Sequence, residues 1–532
     1  MPEYLAPGVF VEEVSFRAKS IEGVGTSVAA IVGPTRYGPL RGVPEVMTSF
    51  GEFARVYGDV LDLSLGGESV LNHTAIAAKA FFDGGGKQLF VARIASAATP
   101  PVAASVAAAG GNVTFTSRFP GAMGNFTLEI DWRDEARTLF DVTVRTGGRD
   151  GPAIYTYGGV STDPNPEVSN SLTRVLATTP DKRHDFLASP VACTLAADID
   201  ATAVSSALNS LFDPEAVTPG DLSVDGPRFL ITLANGSDGA VPAATDYEGQ
   251  IDVVAGSSGF HALEDVEDIA IVMAPAAAAH ADSHQAVVVE MQKHCRKMRY
   301  RVGIVDSRDG MAISEVRAFR DNFDDSRLAL YHPWVVIADP RRITDTIDVP
   351  PAGFIAGVYA STDVQRGVHK APANEPVIGA LRFTQEINRF QQELLNPSGI
   401  NCLRSFPGRG HRVWGGRTLS QDSEWRYVNV RRYFLYLERS IDKSTQWVVF
   451  EPNGERLWAN VRSTVEDFLY NEWFNGRLLG SSPKQAYFVR CDRSTMTQND
   501  LDNGRLVCEI GVAPLRPAEF VIFRIGQKTA DA

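Results

Sequence analysis

Between Ile269 and Ala338 the apolar residues switch repeatedly between the two-residue period of a strand and the 3.6-residue period of a helix. The pattern predicts a strand at Ile269–Met273, a helix at Ser283–Met298, a strand at Tyr300–Val305, a helix at Ile313–Asn322 and a strand at Trp334–Ala338. Strands joined through helices are parallel, and right-handed crossovers place the helices over the sheet faces. An earlier stretch has the same grammar. Thr26–Val32 reads as a strand closed by Gly33-Pro34. Helical patterns follow at Ser49–Tyr57, with Phe50, Phe53 and Tyr57 on one face, and at Leu71–Phe82. Gly84-Gly85-Gly86 stops the second helix, and Gln88–Ile94 is a further strand. Residues 21–95 and 258–390 are therefore expected to share one discontinuous α/β domain.

From Ala95 to about Ser257 the chain turns rich in Ala, Thr, Gly, Asp and Pro, with short alternating runs such as Phe126–Ile130 and Leu139–Val144. This predicts an inserted, mostly-β domain over 96–257. The last third is helical and aromatic. Glu455–Asn475 places Leu457, Val461, Val465, Phe468, Leu469 and Trp473 at helical spacing before the stop at Gly476. The expected C-terminal α+β domain covers 391–516. The fold class is thus multidomain, α/β and α+β, with an extended arm at 1–20 and an arm strand at 517–532.

Both arms look like strands without a neighbour in sequence. In Ala518–Ile525, Val521, Phe523 and Ile525 share one face while Phe520 and Ile522 share the other. At the other end Tyr4, Pro7, Gly8, Val9, Phe10 and Val11 form a run too short to stand alone. Such segments gain partners by adding to a sheet edge, in their own domain or in another copy.

With 532 residues the chain exceeds one ordinary core. A net charge of −13 argues against nucleic acid as a partner, because phosphate neutralisation needs a basic surface. Met1-Pro2-Glu3-Tyr4 carries no basic, apolar leader, and no run is long enough to cross a bilayer, so membrane insertion is not expected. Five scattered cysteines (Cys193, Cys295, Cys402, Cys491, Cys508) suggest reduced thiols in a cytoplasm.

Candidate chemistry is sparse. Gly84-Gly85-Gly86-Lys87 lacks the Ser or Thr of a phosphate loop and ends a helix instead of opening one. Gly23-x-Gly25 precedes a strand, the wrong order for a dinucleotide site. His280, His284 and His294 beside Cys295 lack zinc-ligand spacing. Asp306, Asp309 and Asp339 fall at the carboxyl ends of expected parallel strands, where Mg²⁺ and ligands bind in open α/β sheets. They support a second reading, a Mg²⁺-dependent α/β hydrolase. Arg404, Arg409, His411, Arg412 and Arg417 form a dense basic cluster suited to an acidic partner or another copy.

The C-terminal half carries an ordered set of motifs: Pro350-Pro351-Ala352-Gly353, Ala356-Gly357-Val358-Tyr359, Asp363, Arg366-Gly367-Val368, and Ala371-Pro372-Ala373-Asn374. Leu395-Asn396-Pro397, Gly399-Ile400-Asn401, Val413-Trp414-Gly415-Gly416-Arg417-Thr418 and Glu424-Trp425-Arg426-Tyr427-Val428-Asn429-Val430-Arg431-Arg432 continue it. Gly511-Val512-Ala513-Pro514 and Pro517-Ala518-Glu519-Phe520 close it. Together with Pro7-Gly8-Val9 and Gly121-Ala122-Met123-Gly124-Asn125, where Met123 departs from the Trp common in the family, this resembles the contractile tail sheath proteins of phage tails and related injection systems.

The resemblance implies a structural, non-enzymatic subunit without cofactor. It implies hexameric rings stacked helically around an inner tube, joined by arms that add strands to a neighbour's C-terminal sheet. Further partners would be baseplate and tail-terminator or cap proteins, with assembly in a bacterial cytoplasm and release as part of a particle. It also marks Arg366, Asn374, Asn401, Trp414, Arg417, Trp425, Arg431 and Arg432 as motif positions and candidate assembly contacts. Another lattice-forming protein is the alternative within the structural class.

Overall fold

The structure, a computed structural model, describes residues 20–148, 150–177, 189–212, 229–342 and 344–522. Two units divide the chain, Gly25–Arg432 and the combination of Met1–Val24 with Tyr433–Ala532.

In the larger unit, strand β1 (Ala29–Gly33) is buried along its whole length, as a strand covered on both faces must be. A two-residue strand β2 (Val46–Met47) precedes helix α1 (Phe50–Tyr57). Ser49 caps α1 by accepting the Glu52 N–H, while the Glu52 carboxylate accepts the Thr48 N–H at 2.7 Å. The hairpin β3 (Leu63–Leu65) and β4 (Glu68–Val70) leads to α2 (His73–Asp83), whose first turn is capped by the Asn72 side chain. Gly84 ends α2 and Gly85, at φ +99°, turns the chain into β5 (Leu89–Arg93), parallel to β1.

The insertion then begins. It pairs β6 (Ser105–Ala107) with β7 (Val113–Ser117), and separately β8 (Thr127–Trp132) with β9 (Leu139–Arg145) and β9 with β10 (Ala153–Ser161), all antiparallel. The short helix α3 (Leu172–Val175), β11 (Val191–Leu195), α4 (Ala201–Leu211) and β12 (Phe229–Thr232) complete it. Its sheets run β10-β9-β8-β12 and β11-β7-β6. They enclose a core of their own built from Phe115, Phe126, Ile130, Phe140, Val142 and Leu208.

Helix α5 (Ala244–Glu248) already belongs elsewhere: Tyr247, Phe260 and Leu263 pack in the α/β core with Val272 and Val288. The insertion therefore ends before Ala244, earlier than the expected 257. Its Gly- and Ser-rich exit resembled more insert because its few apolar anchors lie far apart.

The parallel sheet resumes with β13 (Ile271–Met273), α6 (Ala281–Met298), β14 (Val302–Asp306), α7 (Ile313–Arg320) and β15 (Leu328–His332). The expected third strand, Trp334–Ala338, does not join the parallel sheet. The third parallel strand is β15, and β16 (Val335–Ala338) turns away into a small antiparallel sheet with β17 (Thr346–Val349) and later β18 (Arg382–Phe383). Val335-Val336-Ile337 has the stronger β-branched signal, but burial on both faces selects Leu328–His332 for the sheet interior.

Helix α8 (Ala352–Arg366) crosses α2 with almost no side chains between them. A Cβ on Gly353 would lie 2.5 Å from the Ala77 carbonyl oxygen, and one on Gly357 would lie 3.0 Å from Gly84 Cα. After α9 (Arg389–Leu395), strands β19 (Ile400–Phe406) and β20 (Gly410–Trp414) finish the large sheet, ordered β2-β5-β1-β13-β14-β15-β19-β20. The expected domain boundary at 391 thus falls inside the α/β unit, because β19 pairs in parallel with β15.

The division between the units falls within α10 (Val428–Ser444). In the smaller unit α11 (Glu455–Phe474) buries Leu457, Trp458, Val461, Val465, Phe468 and Leu469. Helix α12 (Pro483–Ala486) leads into β21 (Tyr487–Arg490), which pairs with β22 (Glu509–Val512) across a connection holding α13 (Gln498–Asp502). Among the described residues no helix is long and apolar enough to cross a membrane.

Candidate assembly surfaces

Strands β21 and β22 make a two-stranded antiparallel sheet, and two strands alone are marginal in water. Large apolar side chains of this unit stay exposed: Phe488, Ile510, Leu479, and Tyr470 stacked on Phe474 at 6.2 Å between ring centroids. The tail is exposed as well. Phe520, Val521 and Ile522 are 75%, 68% and 79% exposed and are in no strand within this single chain. Phe523 and Ile525 lie outside the described residues, as do Tyr4, Pro7, Gly8, Val9, Phe10 and Val11 of the other arm.

The root of the N-terminal arm is seated on the second half of α10. Glu22 and Val24 donate their N–H groups to Ser444 Oγ (3.3 Å) and Ser440 Oγ (3.1 Å), two serines one helical turn apart. Between them Gly23 lies against Tyr436, whose hydroxyl would sit 2.3 Å from any Cβ at that position. That hydroxyl donates to Glu472, a buried carboxylate that also accepts from Tyr433 (2.9 Å) and Arg477 (2.7 Å). Burial and the Glu472 charge hold both tyrosine hydroxyls protonated, far above their ordinary range.

Most motif residues of the larger unit are internal. Arg432 forms a two-pronged ion pair with Asp363 at 2.5 and 2.9 Å, both side chains almost fully buried. Thr26 adds a hydroxyl bond to Asp363 and a carbonyl to Arg432, and the guanidinium stacks over Tyr359. Burial pushes the Asp363 carboxyl up, while Arg432 and the Thr26 hydroxyl pull it back. Asn401 of β19 ties β15 to the segment after β20, donating to Leu330 O and Arg417 O and accepting the Arg417 N–H. Arg417 also donates to Asn396 O, and Arg431 lies 3.7 Å over Trp425 and reaches Ser326. These residues hold the subunit together.

Arg366 and Asn374 remain exposed. Asn374, at φ +60°, accepts from Arg409 and Arg412, and Arg409 stacks over Phe406 and Trp414. The basic cluster therefore divides: Arg404, Arg409 and Arg412 present charge on the β19–β20 hairpin, His411 binds Ser405, and Arg417 is interior.

The three aspartates of the hydrolase reading have separate structural tasks. Asp306 is buried, accepts the Ala352 N–H at the start of α8 at 2.7 Å, and is pushed well up by desolvation. Arg341 clamps Asp339 through two bonds and holds its carboxyl below the usual range, and the same guanidinium reaches Asp62. Asp309 accepts the neighbouring Gly310 N–H on an exposed turn. His284 stacks on Phe319 and His294 on Phe260, and His294 also pairs with the Arg301 guanidinium. Among the described residues no group of three or more His, Cys, Asp or Glu side chains could hold a metal ion.

Sequence reasoning missed the Gly23 seat, buried Glu472 and the Gly353–Gly357 crossing. Only the four-residue spacing of the two glycines, and of Ser440 and Ser444, offered a signal.

Comparison with known proteins adds a consistent set of likenesses. A model of the phage tail sheath protein central domain matches residues 244–419, and one of the phage tail sheath C-terminal domain matches residues 420–528. A tail sheath protein of Vibrio phage KVP40 is 28% identical over 188 residues, 35% of this chain and 27% of that protein's length. A putative prophage major tail sheath protein of Pseudomonas aeruginosa is 25% identical over 293 residues, 54% of this chain and 71% of that one. Among solved structures, the contracted helical sheath of the anti-feeding prophage shares the fold with a TM-score of 0.58 at 23% identity, covering 98% of this chain and 99% of that one. The contracted PVC sheath of an extracellular contractile injection system does so with a TM-score of 0.56 at 20% identity, covering 99% of each.

Proposed function

Because the chain belongs to the phage tail sheath family, we propose that it is the repeating subunit of a contractile sheath. In this reading subunits form hexameric rings stacked helically around an inner tube, and contraction drives the tube through a target envelope. The observation that carries it is the pairing of an unfinished sheet with unhoused strands. β21 and β22 form a sheet of two, while Phe520, Val521 and Ile522 lie exposed in the same unit. Tails from neighbouring copies complete such a sheet by strand addition, a heterologous contact that propagates without limit along one axis.

The protein acts as a structural element and not as an enzyme. Asp306 and Asp339, two of the three aspartates of the hydrolase reading, are committed to a helix start and to an arginine clamp. Contraction is a rigid-body change between two packings, with the arms keeping neighbours connected. Its partners are copies of itself, the tube, the baseplate and a terminator or cap protein, met during assembly in a bacterial cytoplasm. The particle is a phage tail or a related injection device.

Negative-stain imaging of the purified protein tests this reading. Hollow, striated cylinders are expected from the full chain, and removal of residues 1–20 and 517–532 is expected to abolish them. Normal cylinders from the doubly clipped chain would overturn it.

A further inference from the structure

The five cysteines look scattered in sequence, yet two of them face each other in space. The register of β21 with β22 runs from Tyr487↔Val512 to Arg490↔Glu509, and continuing it one step past the strand ends sets Cys491 opposite Cys508. The Ala513 N–H donates to Ala486 O at 2.8 Å, which sets the alternation of the ladder. Counting from there, 488/511 and 490/509 are hydrogen-bonded rungs and 491/508 is a non-hydrogen-bonded one. On such rungs antiparallel Cα atoms approach to about 4.5 Å, inside the roughly 4.4–6.8 Å span of disulfides.

The two thiols are near enough for each to shift the other's protonation. Thr495 Oγ1 donates to Val507 O at 2.8 Å and ties the segment after Cys491 against the one before Cys508. No second cysteine faces the remaining three: Cys193 opposes Phe115, Cys402 opposes Trp414, and Cys295 is buried on α6.

We propose that Cys491 and Cys508 are a disulfide-forming pair that closes the terminal rung of the β21–β22 sheet when the protein meets a small-molecule disulfide. Cys508 is the more accessible of the two and Cys491 is buried. The Cys508 thiolate attacks one sulfur of the external disulfide, breaks its S–S bond and expels one thiolate. The Cys491 thiolate then attacks Cys508 Sγ and expels the second. Two protein thiols are oxidised, one external disulfide is reduced to two thiols, and the two protons lost by the cysteines end on those thiols. Burial pushes the Cys508 thiol up to about 12 and raises Cys491 as well. Exchange is therefore slow at neutral pH and quickens about tenfold per pH unit. The pair stays open in a reducing cytoplasm and closes over time outside it. The consequence for assembly, unlike the cross-link, rests on the proposed function: the rung pins the two strands onto which neighbouring tails dock.

The test incubates the unassembled full-length protein with oxidised glutathione at pH 7, 8 and 9, then denatures it, counts thiols and maps peptides. The thiol titre should fall from five by two. A Cys491–Cys508 linked peptide should appear, with a rate rising about tenfold per pH unit. Cys491→Ser should stop at a glutathione adduct on Cys508. Amide exchange across residues 487–512 should slow by about tenfold or more on oxidation. Five persistent thiols, or a wild-type adduct on Cys508 that never resolves, would overturn the proposal, as would unchanged exchange in the linked protein. Because every readout uses single subunits, cylinders failing to form would refute the sheath reading and leave the cross-link standing.

Discussion

Replacing Phe520 and Ile522 together by serine removes apolar surface that the isolated subunit leaves in water. The two side chains are 75% and 79% exposed, so the single chain draws little stability from them. Full burial of such a side chain is worth about 1.5–3 kcal/mol. With about three quarters of each still to be covered, docking gains about 1–2 kcal/mol per residue, or about 3 kcal/mol for the pair. At about 1.4 kcal/mol per tenfold, each subunit contact weakens about 100-fold. The assay is the lowest concentration at which sedimentable cylinders form, measured alongside thermal unfolding of the dispersed subunit. The critical concentration should rise by about two orders of magnitude while the melting temperature holds. Assembly of the double variant at the wild-type concentration would refute the reasoning, because the tail would then contribute nothing to the lattice.

Asp363→Ala strands the buried Arg432 guanidinium and should cost about 3–5 kcal/mol in chemical denaturation, whereas adding Arg432→Met should restore part of the loss. Gly353→Val drives side-chain atoms into the Ala77 backbone and should lower stability by about 1–3 kcal/mol or more, read as a lower melting temperature. Burial lowers His73, His284 and His332 to about 4 and His294 to about 3, below an ordinary 6.5. The folded state thus binds fewer protons at these sites than the unfolded one, and their contribution is complete above pH 6.5 and lost as the pH falls towards 4. Urea midpoints should fall across that window, and His284→Phe should flatten the slope.

Helices α1, α2, α6 and α11 were legible in the sequence to within two residues, because caps such as Ser49 and stops such as Gly84 act locally. Strands β1, β5, β13 and β14 were equally plain as apolar runs between turn residues. What failed was the choice between two adjacent strands, β15 and β16. Periodicity reports amphipathicity, and it does not say which sheet a strand joins. The boundary at 391 failed for the same reason, since the partnership of β19 with β15 spans some seventy residues of chain. The motif arginines carried a family signal, but only packing reveals that Arg417 and Arg432 face inward. Cys491 and Cys508 could not be paired by eye, because a turn and the helix α13 separate them.

The large sheet is finished at both margins in a way the small one is not. On one side lies β2, two residues long and preceded by Pro44; on the other lies β20, carrying His411 and Arg412, with Val377 already bonded to the His411 carbonyl. Short, charged or covered margins refuse stray strands. A polymer built by lending strands needs such refusals, since a tail accepted at the wrong margin would join copies off the axis and spoil every layer above. In a sheath of this kind the blunt rims of the big sheet would turn such tails away.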